Sequence, residues 1–255
     1  MEVPLGRSPD KPFKVYHQDF WWSDKWDPMD YGRSFDFTKL FFAQFAELSN
    51  EVPRVNIINK ESQNSEYTNL SAFNKDSYLL VESSNNESCL YGYWLQKTKD
   101  AVDCAFLGAC ENCYSTIDSS GCYGLSFSQN CKDCSNGMLL RDCVNCHDCI
   151  ACVGVSGGRY MFLGKQYTES EYRKMEAEVH TKSEALDKIR TQYQVLGTQA
   201  VRKYADISHS ENARGDYIEN ASNIRHGFEI HDAQDVAYSS HVWFDSNNCM
   251  DVDTV

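Results

Sequence analysis

The sequence predicts a mainly β protein: a parallel β-helix, or β-solenoid, with an aromatic and helical cap at its N-terminal end and a helical insertion further on. Three observations carry that expectation. From Cys89 through Cys104, Cys110, Cys113, Cys122, Cys131, Cys134, Cys143, Cys146, Cys149 and Cys152, every interval is a multiple of three residues. The comb so defined extends back to Ser65 and on to Gly158, and none of its teeth is charged or aromatic. With 24% of the chain charged, a random comb of that length would stay uncharged about once in several thousand trials, so these positions mark an interior. The residue before a tooth is often Asp or Asn, as at Asp103, Asn112, Asp118, Asn130, Asp133, Asn136, Asp142, Asn145 and Asp148. Asx side chains bond nearby backbone and tolerate unusual dihedrals, so short strands joined by Asx corners are expected.

Residues 1–60 form the expected cap. Trp21, Trp22 and Trp26 lie in an aromatic run that reads as rings laid over an apolar end, with a ligand-stacking platform as the alternative. Asp36 or Thr38 can cap a helix running to about Leu48, and Phe37, Leu40, Phe41, Phe45 and Leu48 make it apolar over so much of its circumference that burial is expected. Residues 61–167 are the solenoid. At a spacing of eighteen, Cys113 recurs at Cys131 and Cys149, Cys134 at Cys152, Cys104 at Cys122, and Asn112 at Asn130 and Asp148. Coils of about 18 residues, wound right-handed and stacked at about 4.8 Å, would place these residues in ladders, giving five or six coils.

Residues 168–206 are the helical insertion. Thr168 and Glu171 make a capping box, and Tyr172, Met175, Val179, Leu186, Ile189, Tyr193, Leu196 and Ala200 follow three-and-four spacing interrupted at Lys182. A long helix or a hairpin near His180 to Ser183 is expected, packed on the solenoid flank or self-associating as a coiled coil. Residues 207–255 repeat the triplets at Gly215, Ile218, Ala221, Ile224, Gly227, Ile230, Ala233 and Val236, with Asn220, Asn223 and Asp232 as corners. Ser65 and Cys104 each lie 145 residues before a counterpart, Ser210 and Cys249, so a second, incomplete solenoid segment is expected. Its open last coil would seek a partner chain or a second copy.

The net charge of −13 argues against sequence-independent nucleic-acid binding and against an anionic membrane surface. Neither a charged, apolar leader nor an apolar run of roughly 18 residues stands in the sequence, so a cytoplasmic or virion location is expected rather than secretion by a signal peptide. Zinc is the alternative use of the thiols: Cys110, Cys113, Cys131 and Cys134 have ribbon spacing, and Cys143, Cys146, Cys149 and Cys152 offer a second set. Against zinc, Leu, Ser and Thr occupy equivalent teeth, so a thiol-filled interior without cofactor is the leading expectation. A polysaccharide-active enzyme would need outward carboxylates and bases in one groove, with Lys132, Asp133, Arg141, Asp142, His147 and Asp148 as candidates. His209, His226, His231 and His241 have no ligand spacing that stands out.

The run from Trp21-Trp22 through Trp26, Tyr31-Gly32, the Phe-rich helix and Asn64 to Asn69 resembles cysteine-rich proteins of unknown function found in candidate-phyla bacteria and phage-rich metagenomes. The resemblance implies no reaction. Larger members carry upstream Cys-x-x-Cys pairs that look like zinc ribbons, and this chain lacks them. The cysteine comb is also similar to that of small β-helices in cytoskeletal cofactor domains, a likeness of fold alone. The expected function is a non-enzymatic scaffold or assembly protein, such as a virion component.

Overall fold

The computed structural model describes residues 11–211, 216–219, 224, 226–230, 234–240, 242 and 246–252. It is a β-solenoid of about nine turns with a few helices, and it divides into two units, residues 1–200 and 201–255. The building block of the first unit is three residues long. From Leu70 to Tyr160 every third residue has φ near +50° to +70°, glycine or not, and each stands just before an inward tooth. The expected Asx corners are all among them, but so are Leu79, Tyr91, Trp94 and Phe106. A left-handed dihedral costs such bulky residues about 1–2 kcal/mol each, so the surrounding bonds have to hold it.

Those bonds explain the triplet. The N–H of the outward residue donates to the next coil, as Lys75 does to the Asn86 carbonyl at 2.9 Å, and the N–H of the left-handed residue donates to the previous one, as Asp76 does to the Gln63 carbonyl at 2.9 Å. The inward N–H points into the tube, where no backbone awaits it. Where the tooth one coil earlier is Ser, Asn or Cys, the N–H can donate to that side chain: Ser77 N–H to Ser65 Oγ at 3.1 Å, Thr98 N–H to Asn86 Oδ1 at 2.9 Å, Cys131 N–H to Ser119 Oγ at 3.2 Å, Cys146 N–H to Cys134 Sγ at 3.4 Å. An unpaired buried N–H costs about 1–3 kcal/mol, which is why small polar side chains line this core.

The coil is twelve residues long, not eighteen. Tyr78 pairs with Leu90, Tyr93 with Ala105, Ile117 with Gln129, Gln129 with Arg141 and His147 with Arg159, all in parallel. Four corners of positive φ close one coil, and among the described residues every strand pair is parallel except the hairpin of Met161–Phe162 with Lys165–Gln166. The eighteen-residue ladders therefore do not form. Cys113 and Cys149 share a column three coils apart, whereas Cys131 stacks on Ser119 and under Cys143. At this register Cys104 does not stack on Cys122, Cys134 does not stack on Cys152, and Asn130 lies on a different wall from Asn112 and Asp148. All of these cysteines are nonetheless buried, as the comb requires.

Leucines fill the centre of the tube where a neighbour makes room. A Cβ on Gly92 would collide with Leu80 and Leu95, and one on Gly137 with Leu125 and Leu140. The expected cap is present: Val15–Tyr16 pairs with Arg54–Val55, and the Asn59 N–H donates to Gln18 Oε1 at 3.0 Å, tying the first helix, α1 (Gln18–Trp21), to the first coil. Trp26 packs on Trp21 at 4.6 Å between centroids and on Tyr16 at 5.5 Å, so these rings serve the cap. Helix α2 (Phe41–Glu51) does form, but it buries no residue, contrary to expectation.

The insertion is a hairpin of α3 (Glu169–Thr181) and α4 (Ser183–Gln199) broken at Lys182, and Thr168 with Glu171 makes the capping box. In the second unit Asp216–Glu219 pairs in parallel with Phe228–Ile230, again twelve residues apart, over a core of Ile218, Ile224, Val236 and Val242 with Cys249 and Val252 against it. Gly215, Ala221, Ala233, Asn220, Asn223, Asp232, His231 and His241 lie outside the described residues.

Candidate functional site

The thiols are structural hydrogen-bonding groups. Each inward Sγ lies near the carbonyl of the outward residue two places before it, and often near an inward carbonyl nine places ahead: Cys104 Sγ to Val102 O at 3.2 Å and to Cys113 O at 3.5 Å, Cys122 Sγ to Ser120 O at 3.3 Å and to Cys131 O at 3.4 Å. A neutral S–H can donate there as a Ser O–H does, and a thiolate could not. Burial pushes the Cys89 and Cys104 thiols up to about 11 and Cys143 up to about 12.

Zinc ligation by Cys110, Cys113, Cys131 and Cys134 does not fit this geometry. Cys110 and Cys134 occupy one column with Cys122 between them, two coil rises or roughly 9–10 Å apart, whereas sulfurs 2.3 Å from one zinc lie within roughly 4 Å of each other. Among the described residues no group of His, Cys, Asp and Glu is arranged to hold a metal ion.

The outward charges meant for a polysaccharide groove are dispersed by the twelve-residue register. Lys132 and Asp133, Arg141 and Asp142, and His147 and Asp148 stand on three different walls. Arg141 instead reaches α4, its Nη2 donating to the Gly197 carbonyl at 3.0 Å, and Asp148 accepts from Arg173 of α3 at 3.0 Å.

One wall is largely apolar, with Glu66, Asp103, Ser115 and Ser126 as its polar positions. Going down the coils it carries Tyr67, Tyr78 with Leu79, Leu90 with Tyr91, Val102 and Tyr114, then Phe127, Met138 with Leu139, Ile150 with Ala151, and Phe162 with Leu163. The hairpin covers the second half: Tyr172, Val179 and Ile189 are buried against Leu139, Ile150 and Ala151, with Leu186 and Tyr193 beside them. The helical seam is thus spent on the solenoid flank, the first of the two expected arrangements. Thr168 starts the hairpin, and the Arg173 pair with Asp148 at 3.0 Å pins α3 to the edge of the wall, while the Arg173 pair with Glu176 at 2.9 Å lies within α3. A cavity of about 350 Å³ opens between α3 and the coils, lined by Ser126, Asn136, Met138, Arg173, Glu176 and His180 among others. The charge of Arg173 is met there by the carboxylates of Asp148, Glu176 and, at 3.9 Å, Glu169, so the cavity offers an anion little.

Among the described residues, the first half of the wall is uncovered. Tyr67 is 53%, Tyr78 40%, Tyr91 51% and Tyr114 45% exposed, and the Tyr67, Tyr78 and Tyr91 rings stack edge to face at 5.4 and 6.0 Å. On α2 and its approach, Phe37, Leu40, Phe41, Phe42 and Phe45 are exposed as well. Exposed apolar patches of this extent mark contact surfaces. The wall was legible in the sequence only at a spacing of twelve, where Tyr67, Leu79, Tyr91 and Phe127 fall in one column.

No family model and no curated protein matches this chain. Among solved structures, one provisionally described as an acetyltransferase from Desulfovibrio desulfuricans G20 is 9% identical, with 76% of this chain and 58% of that chain covered and a TM-score of 0.15. The chain spans 58% of that structure's length, and a likeness this slight carries no activity across. Among the described residues no helix is long and apolar enough to cross a membrane.

Proposed function

We propose that this protein is a non-enzymatic scaffold, a solenoid whose work is to present surfaces for assembly. The single observation that carries the reading is the pair of uncovered apolar surfaces, the Phe-rich α2 and the first half of the tyrosine wall. Monomeric domains rarely leave such patches bare. Two further observations support it. The candidate catalytic charges are dispersed over three walls, and the thiols are occupied inside the tube by main-chain groups. The resemblance to cysteine-rich proteins of phage-rich metagenomes favours a virion component among scaffolds. Native mass spectrometry and sedimentation of the full chain at about micromolar concentration are expected to show stable assemblies. A clean monomer there overturns the reading.

A further inference from the structure

The geometry points to a specific contact: α2 of one copy docks lengthwise on the bare tyrosine wall of a second copy, continuing the row in which α3 and α4 already lie. This deepens the scaffold reading and rests on it. The wall is one continuous face, in register coil after coil, and its second half shows what covers it: amphipathic helices from this same chain, inserting Tyr172, Val179 and Ile189. The hairpin turns back at Lys182, and His180 reaches the coil of Gly124 and Ser126, so no helix among the described residues lies on the wall from Tyr67 to Tyr114.

α2 has the size and chemistry that the bare stretch lacks. Its eleven residues span roughly 16 Å, and the five coils from Tyr67 to Tyr114 span roughly 19 Å at the inter-strand spacing. Its apolar residues Phe41 and Phe45 are one turn apart and stack at 6.0 Å, with Phe42 beside them, all exposed. Arg33 binds Glu47 and Glu51 at 3.7 and 2.8 Å, which offsets part of the charge on the acidic flank of α2, while the Phe side chains form its apolar surface. Aromatic side chains bury about 150–250 Å² each, and with these rings roughly half exposed two such contacts in a two-fold pair would bury roughly 1,500 Å², the size of a standard interface.

The test uses the full chain and two variants that spare the tube. Phe41→Asp with Phe45→Asp alters α2, which buries nothing in its own chain. Leu79→Asp with Tyr91→Asp alters the wall at two left-handed corners, where Asp is a residue the fold itself uses. Circular dichroism should match the parent for both. In sedimentation at about 10 µM the parent is expected to associate and each variant to weaken association at least about tenfold. An equimolar mixture of the two variants is expected to associate again, because the intact α2 of one meets the intact wall of the other. Association unaffected by either variant overturns this contact and leaves the scaffold reading standing. A mixture that stays monomeric also overturns the contact between copies. A monomeric parent overturns both.

Discussion

The coils from Ser65 to Thr98 and those from Cys104 to Cys152 turn the chain in the same way every three residues, yet they differ inside and out. The first are filled mostly by Ser, Asn and Thr, and their apolar wall is exposed; the second are filled largely by Cys, and from Phe127 onward their wall lies beneath α3 and α4. The inside difference is smaller than it looks. Ser83 Oγ donates to the Val81 carbonyl at 2.8 Å just as Cys104 Sγ lies 3.2 Å from the Val102 carbonyl, so oxygen and sulfur do the same work. What sulfur adds is volume and apolar character at the same address. The outside difference matters more, because one wall is covered by the chain's own helices in one half and exposed in the other.

Alkali should separate the two halves most strongly. The thiols of Cys104 and Cys143 are raised in the folded protein to about 11 and about 12, above an unfolded value near 8.5–9. The folded state therefore holds its protons longer. The stability these neutral thiols contribute is fully present below about pH 8.5 and is lost as pH rises through about 11, at roughly 3 kcal/mol per thiol. Hydrogen exchange between pH 7 and 10.5 should show protection falling first in the cysteine-filled coils; uniform loss along the tube would erase the distinction.

Tyr172→Ala would make the covered half resemble the bare one. Tyr172 is wholly buried under the hairpin, and its loss should cost about 3–5 kcal/mol, releasing α3 and α4 to proteolysis while strand content persists. Ser77→Ala strikes the other half. It removes the acceptor of the Cys89 N–H and the donor to the Lys75 carbonyl, for about 1–3 kcal/mol in urea titration. Cys134→Ser, which keeps both roles and loses some packing, should cost less than Ser77→Ala in the same assay. Thr168→Ala is the mildest change, about 1 kcal/mol, because it removes only the side-chain cap of α3.

The period of three was plain in the sequence because each triplet has one inward position, and the Asx corners followed from it. Whether four or six triplets close a coil was not, since twelve and eighteen are both multiples of three. Two signals at twelve could have decided it: Leu80 followed by Gly92 and Leu125 by Gly137, bulk beside its absence, and the alternation of Lys75, Glu87, Lys99 and Glu111, where Lys75 and Glu87 pair at 2.8 Å. The left-handed Trp94 and Phe106 had no sequence signal, because the bonding of neighbouring coils holds them there rather than their own preference. Burial of α2 was expected from composition alone, and composition cannot say which molecule supplies the cover.

The inward N–H that hooks onto the coil before it has one more consequence. Each coil is complete only when its predecessor is in place, so the tube is a ruler graduated in steps of twelve residues and about 4.8 Å. Duplicating or deleting one such step changes the length of the first unit by a fixed increment while returning every later side chain to its own wall.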